Sequence, residues 1–511
     1  MALSFAFAII FVVAIGICGW KLLNWLWLKP KKMEKLLRQQ GFSGNSYKLF
    51  HGDTKEIIRM RKEAITSRPP ILSHNIMQRI RLFEYHIISN YGKNSFIWKG
   101  STPRINITDP SLIKEILYNH EIFQKPHTNP LLKLHANGLA MYEGDQWFKV
   151  RKIANPAFHM QKLKDMFSEI YTSCKDIIEK WRILVSKEKE TCELDVWPDI
   201  QALTADVISR TAFGSNFEEG KQIFELIREQ GHLMDQVMQY VYIPGWRFLP
   251  TPMNRKLKGN YEKMRQLVRG IINKREEAMR VGNVDLLSFL MESNYKQIQE
   301  NEAGMSMEEV IEECRLFYSA GHRTTASLLV WTMVLLSVHP HWQERARQEV
   351  SQVFGNKEPK FDDLNKLKVV TQILYEVLRL YPPAAVLSRT NVKETKLGKI
   401  VLPAGVMLSV PVILVHRDPE YWGDDAMEFN PNRFSEGVSK ATKNNQVAFF
   451  PFSSGPRICI GQNFAMMEAK LALAMILQNF SFQLSPTYVH APVETFLLYP
   501  QYGAHLILHN T

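Results

Sequence analysis

The segment FSSGPRICIG, residues 452–461, presents one cysteine in a turn bounded by glycines. The glycines and the proline interrupt regular structure, and an apolar helical pattern follows over residues 463–476. Cys459 therefore lies just before the N-terminus of a predicted helix. Free backbone N–H groups and the helix dipole favour a thiolate at such a position, and Arg457 adds a positive charge close by.

The surroundings of Cys459 limit which metal such a thiolate can bind. Zinc needs several further Cys, His or carboxylate ligands at local spacing, and no such set accompanies this cysteine. A single thiolate is enough for haem, because the porphyrin supplies the equatorial ligands. A lone cysteine is more often a small buried apolar residue, so the prediction of an iron site depends on residues elsewhere in the chain.

Composition indicates a large folded protein. The chain has 511 residues, of which 45% are hydrophobic and 22% charged, and no low-complexity linker or repeat divides it after residue 45. The five cysteines are scattered and odd in number, which favours a reducing compartment over a disulfide framework. The net charge of +12 suits an anionic membrane or an acidic protein partner. Nucleic acid is not an expected partner, because Lys and Arg are dispersed and no nucleic-acid-binding motif accompanies them.

The N-terminal segment predicts a membrane anchor. Ala2–Trp20 carries no charge and approaches the roughly twenty residues that cross a bilayer core. A signal peptide is disfavoured, because no basic residue precedes the run and tryptophans follow it. Basic residues begin in number at Lys29, so the positive-inside rule places the remainder in the cytosol. We expect an anchor over residues 2–28, a basic linker over 29–45 and one catalytic domain over 46–511.

The remaining chain predicts a mainly α protein with small β-sheets, of the α+β class. Strands are expected near residues 96–98, 104–107, 399–402 and 406–410. A long helix is expected from Ser306, whose hydroxyl forms a capping box with Glu309, to Pro340.

Three groups of residues in these elements suggest a site, and each has a simpler alternative. Within the long helix, residues 320–325 read AGHRTT, where small residues leave room beside the backbone and a threonine can hold a water; helix packing is the alternative. Trp147 and Arg151 lie one helical turn apart and can donate to one anion, or simply pack at the surface. Glu376 and Arg379 form an i, i+3 pair, which on an ordinary helix is a solvated salt bridge.

Together these segments resemble the cytochrome P450 superfamily of haem-thiolate monooxygenases, from the anchor to the C-terminus. The matching residues belong to the cysteine loop, the E-x-x-R pair and the segment that completes its buried network: Phe452, Gly455, Arg457, Cys459, Gly461, Glu376, Arg379, Phe429, Pro431, Arg433 and Phe434. The details of residues 123–130 and 155–159 resemble the plant branch that includes secologanin synthase and triterpenoid oxidases.

The resemblance implies a P450 fold after one transmembrane helix, with haem b (iron protoporphyrin IX) as cofactor and Cys459 as the metal ligand. It implies that the haem is bound by Trp147, Arg151, Arg389, Phe452 and Arg457, four of which hold its propionates: Trp147, Arg151, Arg389 and Arg457. On the opposite face, it implies that Thr324 holds a distal water or hydroperoxide while Ala320 and Gly321 make room for oxygen and substrate.

Arg323 departs from the family pattern, which has Asp or Glu before the threonine. An arginine cannot shuttle a proton, because it stays protonated at any working pH. Three interpretations stay open: poorer coupling of oxygen activation, reliance on Thr324 and water alone, or binding of a carboxylated substrate.

The resemblance also implies the reaction and the partners. An NADPH–cytochrome reductase supplies electrons, so NADPH acts indirectly, and a lipophilic plant metabolite, expected to be a terpenoid, is hydroxylated or oxidatively cleaved. The protein is expected in the endoplasmic reticulum membrane with its catalytic domain in the cytosol. Substrate contacts are expected in residues 126–140, 230–250, 384–387 and 497–499. The alternatives are a haem-thiolate isomerase or dehydratase, which needs neither O2 nor reductase, and a catalytically impaired haem-binding membrane protein.

Overall fold

The computed structural model describes residues 2–67, 72–127, 129–188, 191–215, 217–278, 285–300 and 303–510. Helices predominate among these residues, and the strands form small sheets, which confirms the predicted mainly α class.

The helices are bounded as follows: α1 Ala2–Leu23, α2 Lys29–Gln39, α3 Thr54–Thr66, α4 Met77–Ile80, α5 Leu82–Tyr91, α6 Pro110–Tyr118, α7 Gly144–Ala154, α8 Met160–Asp165, α9 Phe167–Lys187, α10 Val196–Phe213, α11 Phe217–Met238, α12 Pro252–Ala278, α13 Leu286–Gln299, α14 Met307–Val338, α15 Pro340–Phe354, α16 Lys368–Leu380, α17 Val412–Val415, α18 Pro419–Trp422 and α19 Gln462–Asn479.

The strands are β1 Ser43–Gly44, β2 Ser95–Lys99, β3 Thr102–Asn106, β4 Phe123–Gln124, β5 Thr191–Asp195, β6 Leu387–Asn391, β7 Thr395–Leu397, β8 Ile400–Leu402, β9 Met407–Val410, β10 Phe480–Leu484, β11 Pro492–Glu494, β12 Leu498–Pro500 and β13 His505–Asn510. The largest sheet has the order β1-β2-β3-β9-β6-β4, and a second has the order β10-β13-β5. The predicted strands near residues 96 and 104 are confirmed as an antiparallel pair with Phe96 opposite Ile105. The pairs β11-β12 and β7-β8 are hairpins.

The N-terminal helix leads directly into the domain. A π-helical turn, Asn24–Leu28, joins α1 to α2, so the segment predicted as a basic linker begins as a helix. Met33 and Leu37 of α2 are buried in the apolar core around the largest sheet. The Tyr47 hydroxyl donates to the Leu26 carbonyl at 2.7 Å, which joins the π-helical turn after α1 to the domain. The apolar stretch Phe5–Gln39 is a candidate membrane span with its most apolar part unburied in the protein.

The long helix α14 crosses the core as predicted. Ser306 and Glu309 form the expected capping box, and the helix ends two residues before Pro340. Residues 325–336 are buried and pack in the largest apolar cluster together with α10 and α19. Because α19 starts just after the Cys459 turn, this packing fixes the cysteine opposite the middle of α14.

The pair Glu376 and Arg379 is completely buried, so the alternative of a solvated salt bridge is wrong. Arg379 donates two hydrogen bonds of 2.7 Å to the Glu376 carboxylate and others to the carbonyls of His416 and Glu428. Arg433 Nε lies 3.5 Å from the same carboxylate. Charged groups that leave water need this complete a set of partners, and the set ties α16 to the segment before the cysteine loop.

Candidate active site

A cavity of about 290 Å³ separates the Cys459 turn from α14. Six of the predicted site residues line it: Ala320, Gly321, Thr324, Phe452, Arg457 and Cys459. Its other walls are mainly apolar and include Phe158, Phe317 and Leu387. The structure thus brings a thiol and a threonine hydroxyl to opposite walls of one apolar chamber.

The backbone of the turn is shaped by local requirements. Gly455 has a φ of +71°, and a Cβ there would lie 2.8 Å from the Leu117 carbonyl oxygen, so only glycine fits. The Cys459 N–H donates to the Phe452 carbonyl at 2.9 Å, which closes the turn beneath the cysteine. The Sγ atom consequently points into the cavity.

The accessible surface of Cys459 faces this cavity. Burial raises its pKa, while a hydrogen bond from the Gly461 N–H and the positive charge of Arg151 lower it. Arg457, the cation that the sequence suggests close to the thiolate, lines the same cavity but has a partner of its own. Arg457 is paired with Glu143, so its charge is compensated, whereas Arg151 donates to the neighbouring Ile458 carbonyl at 3.0 Å.

The remaining predicted residues form a cationic cluster at one edge of the cavity. The Arg457 guanidinium lies 4.3 Å from the ring centroid of Trp147 and donates to the Tyr142 carbonyl at 2.8 Å. Arg389 is 2% exposed, and burial lowers its pKa to about 10, with Arg457 adding to the effect. The Arg389 Nη1 bonds only to the Ser388 carbonyl among the described residues.

Sequence reasoning missed two members of this cluster, Lys125 and Glu143. Burial, Arg389 and Arg457 lower the pKa of the Lys125 ammonium to about 7. Glu143 accepts from the Lys125 backbone N–H at 2.8 Å as well as pairing with Arg457. Neither residue has a distinctive spacing relative to the cysteine loop, so only the fold shows that they belong together.

The charge balance of this cluster bears on whether the chamber fits a haem. The described part of the cluster holds four cations, Lys125, Arg151, Arg389 and Arg457, and of these Arg457 alone forms an ion pair there, with Glu143. Buried charge of one sign calls for a ligand of the other sign, and two propionates meet that need. Together with one cavity-facing thiol and apolar walls, the residues present fit a haem.

A family model described as Cytochrome P450 matches residues 74–507. This chain belongs to the cytochrome P450 family. P450 enzymes are haem-thiolate proteins that receive electrons from NADPH through a reductase, and this protein is a plant monooxygenase.

Curated relatives cover nearly the whole P450. Cytochrome P450 CYP72A219 of Panax ginseng is 56% identical over 98% of this chain and 97% of its own length. Cytochrome P450 72A397 of Kalopanax septemlobus is 56% identical over 96% of this chain and 95% of its own. The 7-deoxyloganic acid hydroxylase of Catharanthus roseus is 51% identical over the full length of both chains.

On the α14 wall of the P450 chamber, two threonine hydroxyls bond to backbone carbonyls one turn earlier in the helix. Thr324 Oγ1 donates to the Ala320 carbonyl at 2.7 Å, and Thr325 Oγ1 lies 3.3 Å from that of Gly321. A Cβ on Gly321 would lie 2.6 Å from Ile208 Cδ1, so this glycine is required for packing on α10 as well as for space in the cavity.

A buried carboxyl group behind this wall is a further residue that the sequence did not reveal. Glu468 of α19 is fully buried, its carboxylate oxygens have no hydrogen-bond partner among the described residues, and burial raises its pKa far above the ordinary range. Its position follows from the packing of α19 on α14, which no local motif indicates.

Arg323 does not line the Cys459 cavity. It lines a second cavity on the other side of α14, together with His322 and residues 497–499, which had been expected to contact substrate. Of the other expected substrate segments, Ala384 and Leu387 line the Cys459 cavity, and Thr128 lies outside the described residues.

Proposed function

We propose that this P450 hydroxylates a C–H bond of a terpenoid in plant specialised metabolism. The full-length similarity to the 7-deoxyloganic acid hydroxylase carries the proposal, because that relative is named for such a reaction. The largely apolar walls of the chamber support a lipophilic substrate, since desolvating a terpenoid skeleton favours its binding there. Oxidative cleavage, the other outcome that the sequence suggests, would use the same chamber.

The residue roles form part of the proposal. The Cys459 thiolate ligates the iron, Phe452 packs beside it, and Trp147, Arg151, Arg389 and Arg457 hold the propionates, with Lys125 added to that set. The bound haem supplies the oxygen chemistry. Thr324 holds and orients a water at the α14 wall, because its hydroxyl already faces the chamber while its proton is engaged by the Ala320 carbonyl. The apolar walls exclude bulk water from the chamber.

Two exposed apolar surfaces support attachment to a membrane. The first is α1, and the second is the loop between α11 and α12, where Tyr240 is 68% and Phe248 is 71% exposed. We place the anchor at residues 2–28 in the endoplasmic reticulum membrane, with the catalytic domain in the cytosol, where an acidic reductase surface can meet the net positive charge.

The function is tested by expressing the full chain in yeast microsomes together with a plant NADPH–cytochrome reductase. We expect 7-deoxyloganic acid or another terpenoid in a mass-spectrometric screen to gain one oxygen atom in a reaction that requires NADPH and O2. Product formed without NADPH would favour the isomerase or dehydratase instead. Spectral binding of many terpenoids with no product from any would favour the impaired protein.

A further inference from the structure

The second cavity lies between α10, α11, α14 and the β11-β12 hairpin. It encloses about 430 Å³, which is within the size range of small-molecule pockets. Trp197, Phe224, Leu497 and Leu498 give it apolar walls, and Arg323 lies among them. The cavity therefore combines an apolar lining with one inward-facing cation.

The two cavities are neighbours. One turn of α14 contributes to both cavities. Gly321 and Thr324 line the Cys459 cavity, and His322 and Arg323, which lie between them in sequence, line the second. The Leu498 N–H donates to the carbonyl of Pro383 at 3.0 Å, and Pro383 lines the Cys459 cavity. A ligand held in the second cavity thus lies one helix width from the thiol side.

Arg323 has no hydrogen-bond or ion-pair partner among the residues that the structure describes. Burial lowers its pKa, yet a guanidinium stays protonated at physiological pH. A Cβ on Gly231 would lie 3.1 Å from its Nη1, so the glycine leaves room for the head group against α11. His135 beside it stays neutral, because burial, Arg323 and Arg315 lower its pKa to about 4, so it neither adds to the charge of Arg323 nor balances it.

Arg315, eight positions earlier on the same helix, shows how a buried cation is normally satisfied here. Its Nη1 lies 2.7 Å from a Glu312 carboxylate oxygen, and its Nη2 donates to the Leu134 carbonyl at 2.9 Å. Among the described lining residues of the second cavity, the charged side chains besides Arg323 are those of Lys221, Glu225 and Arg228, all exposed on α11. Arg323 is therefore a buried cation of this cavity that no carboxylate of the described residues pairs with.

We propose that Arg323 binds the carboxylate of an amphipathic acid whose apolar body extends along the walls of the second cavity toward the Cys459 cavity, which it approaches beside Leu498 and Pro383. A guanidinium donates two parallel hydrogen bonds to a carboxylate, and the interaction is strong where water is excluded. The inference rests on the proposed function and narrows its substrate class to terpenoid acids. The carboxylate comes either from the substrate itself or from a second acid that binds beside it.

The test uses the full-length, haem-loaded protein in microsomes without NADPH. The probes are 7-deoxyloganic acid, abietic acid and lauric acid, each with its methyl ester, titrated by the shift in the haem absorption spectrum. For the wild type we expect at least one acid to bind about ten- to a hundredfold more tightly than its ester. Arg323→Gln should remove this preference while leaving ester affinity unchanged, and Arg323→Lys should retain part of it. Arg255→Gln, which removes an exposed arginine outside both cavities, should keep it.

A second measurement keeps the proposal testable if a variant loads haem poorly. The melting temperature of ligand-free Arg323→Gln should equal or exceed that of the wild type, because the variant lacks an uncompensated buried charge. A structural arginine would show the opposite change. Arg323→Gln that keeps the acid preference, or a wild type that binds none of the six probes, would overturn the proposal.

Adding NADPH and reductase separates the two sources and the two proposals. If the carboxylate belongs to the substrate, the preferred acid itself gains oxygen and Arg323→Gln slows that reaction. If a second acid binds, it alters turnover of a neutral terpenoid without being consumed. Turnover confined to neutral terpenoids, with no effect of any acid, would keep the proposed function and reject the carboxylate site. An acid preference without any turnover would keep the carboxylate site and reject the proposed function.

Discussion

At the scale of single residues, the chemistry of this P450 is set by what surrounds each charge. Burial acts against the Cys459 thiolate, and the hydrogen bond from Gly461 and the charge of Arg151 act for it. Burial also lowers the pKa values of Arg389 and Lys125, and the Glu143 carboxylate nearby offsets this effect only in part. An apoprotein with such a balance gains stability when an anionic ligand completes it.

Cys459→Ser should abolish the thiolate-type carbon monoxide difference spectrum, because a serine hydroxyl cannot replace the thiolate as the ligand that sets this band. Cys192→Ser is the matched control, since Cys192 lies on β5 outside the cavity, and it should show the wild-type spectrum. An unchanged band in Cys459→Ser would refute the ligand assignment.

Glu313 should make the stability of the protein depend on pH. Its carboxyl is fully buried, and this burial raises its pKa from 4.5 to about 8, although the Leu139 N–H donates to it at 2.7 Å. Between these values the folded protein holds a proton that the unfolded chain has released. The free energy of unfolding should therefore fall as the pH rises through this window.

Glu313→Gln should flatten that part of the pH dependence, because the amide does not titrate. Urea denaturation at several pH values between about 5 and 8 measures the effect. Glu292→Gln, at an exposed position on α13, should keep the wild-type slope. An equally steep slope in Glu313→Gln would assign the dependence to other groups.

At the scale of elements, α16 is joined to the segment before the cysteine loop by one buried ionic network. Glu376→Gln should leave Arg379 with uncompensated charge and cost about 3–5 kcal/mol of stability. We expect a lower melting temperature and a smaller haem-loaded fraction by carbon monoxide binding.

Glu344→Gln is the matched control for this network. Glu344 and Arg347 have the same i, i+3 spacing on a helix, but Glu344 is 56% exposed in its side chain and the pair is 3.7 Å apart. Such a pair contributes about 1 kcal/mol or less, so the control should load haem normally. Equal losses in both variants would show that burial does not distinguish the two pairs.

At the scale of the whole molecule, the anchor and the domain meet at α2. Removing residues 2–23 should release the protein from carbonate-washed membranes and leave the fold intact, because the α1 side chains whose exposure the structure describes, those of residues 5–7 and 9–23, are all exposed. Removing residues 2–40 should also destabilise the domain, since burying Met33 and Leu37 contributes about 1.5–3 kcal/mol for each side chain. Sedimentation and thermal denaturation of the two truncated proteins measure both effects, and equal stability would contradict the docking of α2.

The sequence by itself determined the elements whose signals are local. The capping box of Ser306 and Glu309, the glycine-bounded turn at Cys459 and the spacing of Glu376 and Arg379 are short-range patterns, and each occupies the expected element. Only the tertiary structure decided which charges meet. It brought Lys125 and Glu143 to Arg457, placed Glu468 behind Thr325, and turned Arg323 away from Cys459 to the other side of α14. The physical reason is that spacing along the chain specifies a helix or a turn, whereas partners and burial depend on how distant elements pack.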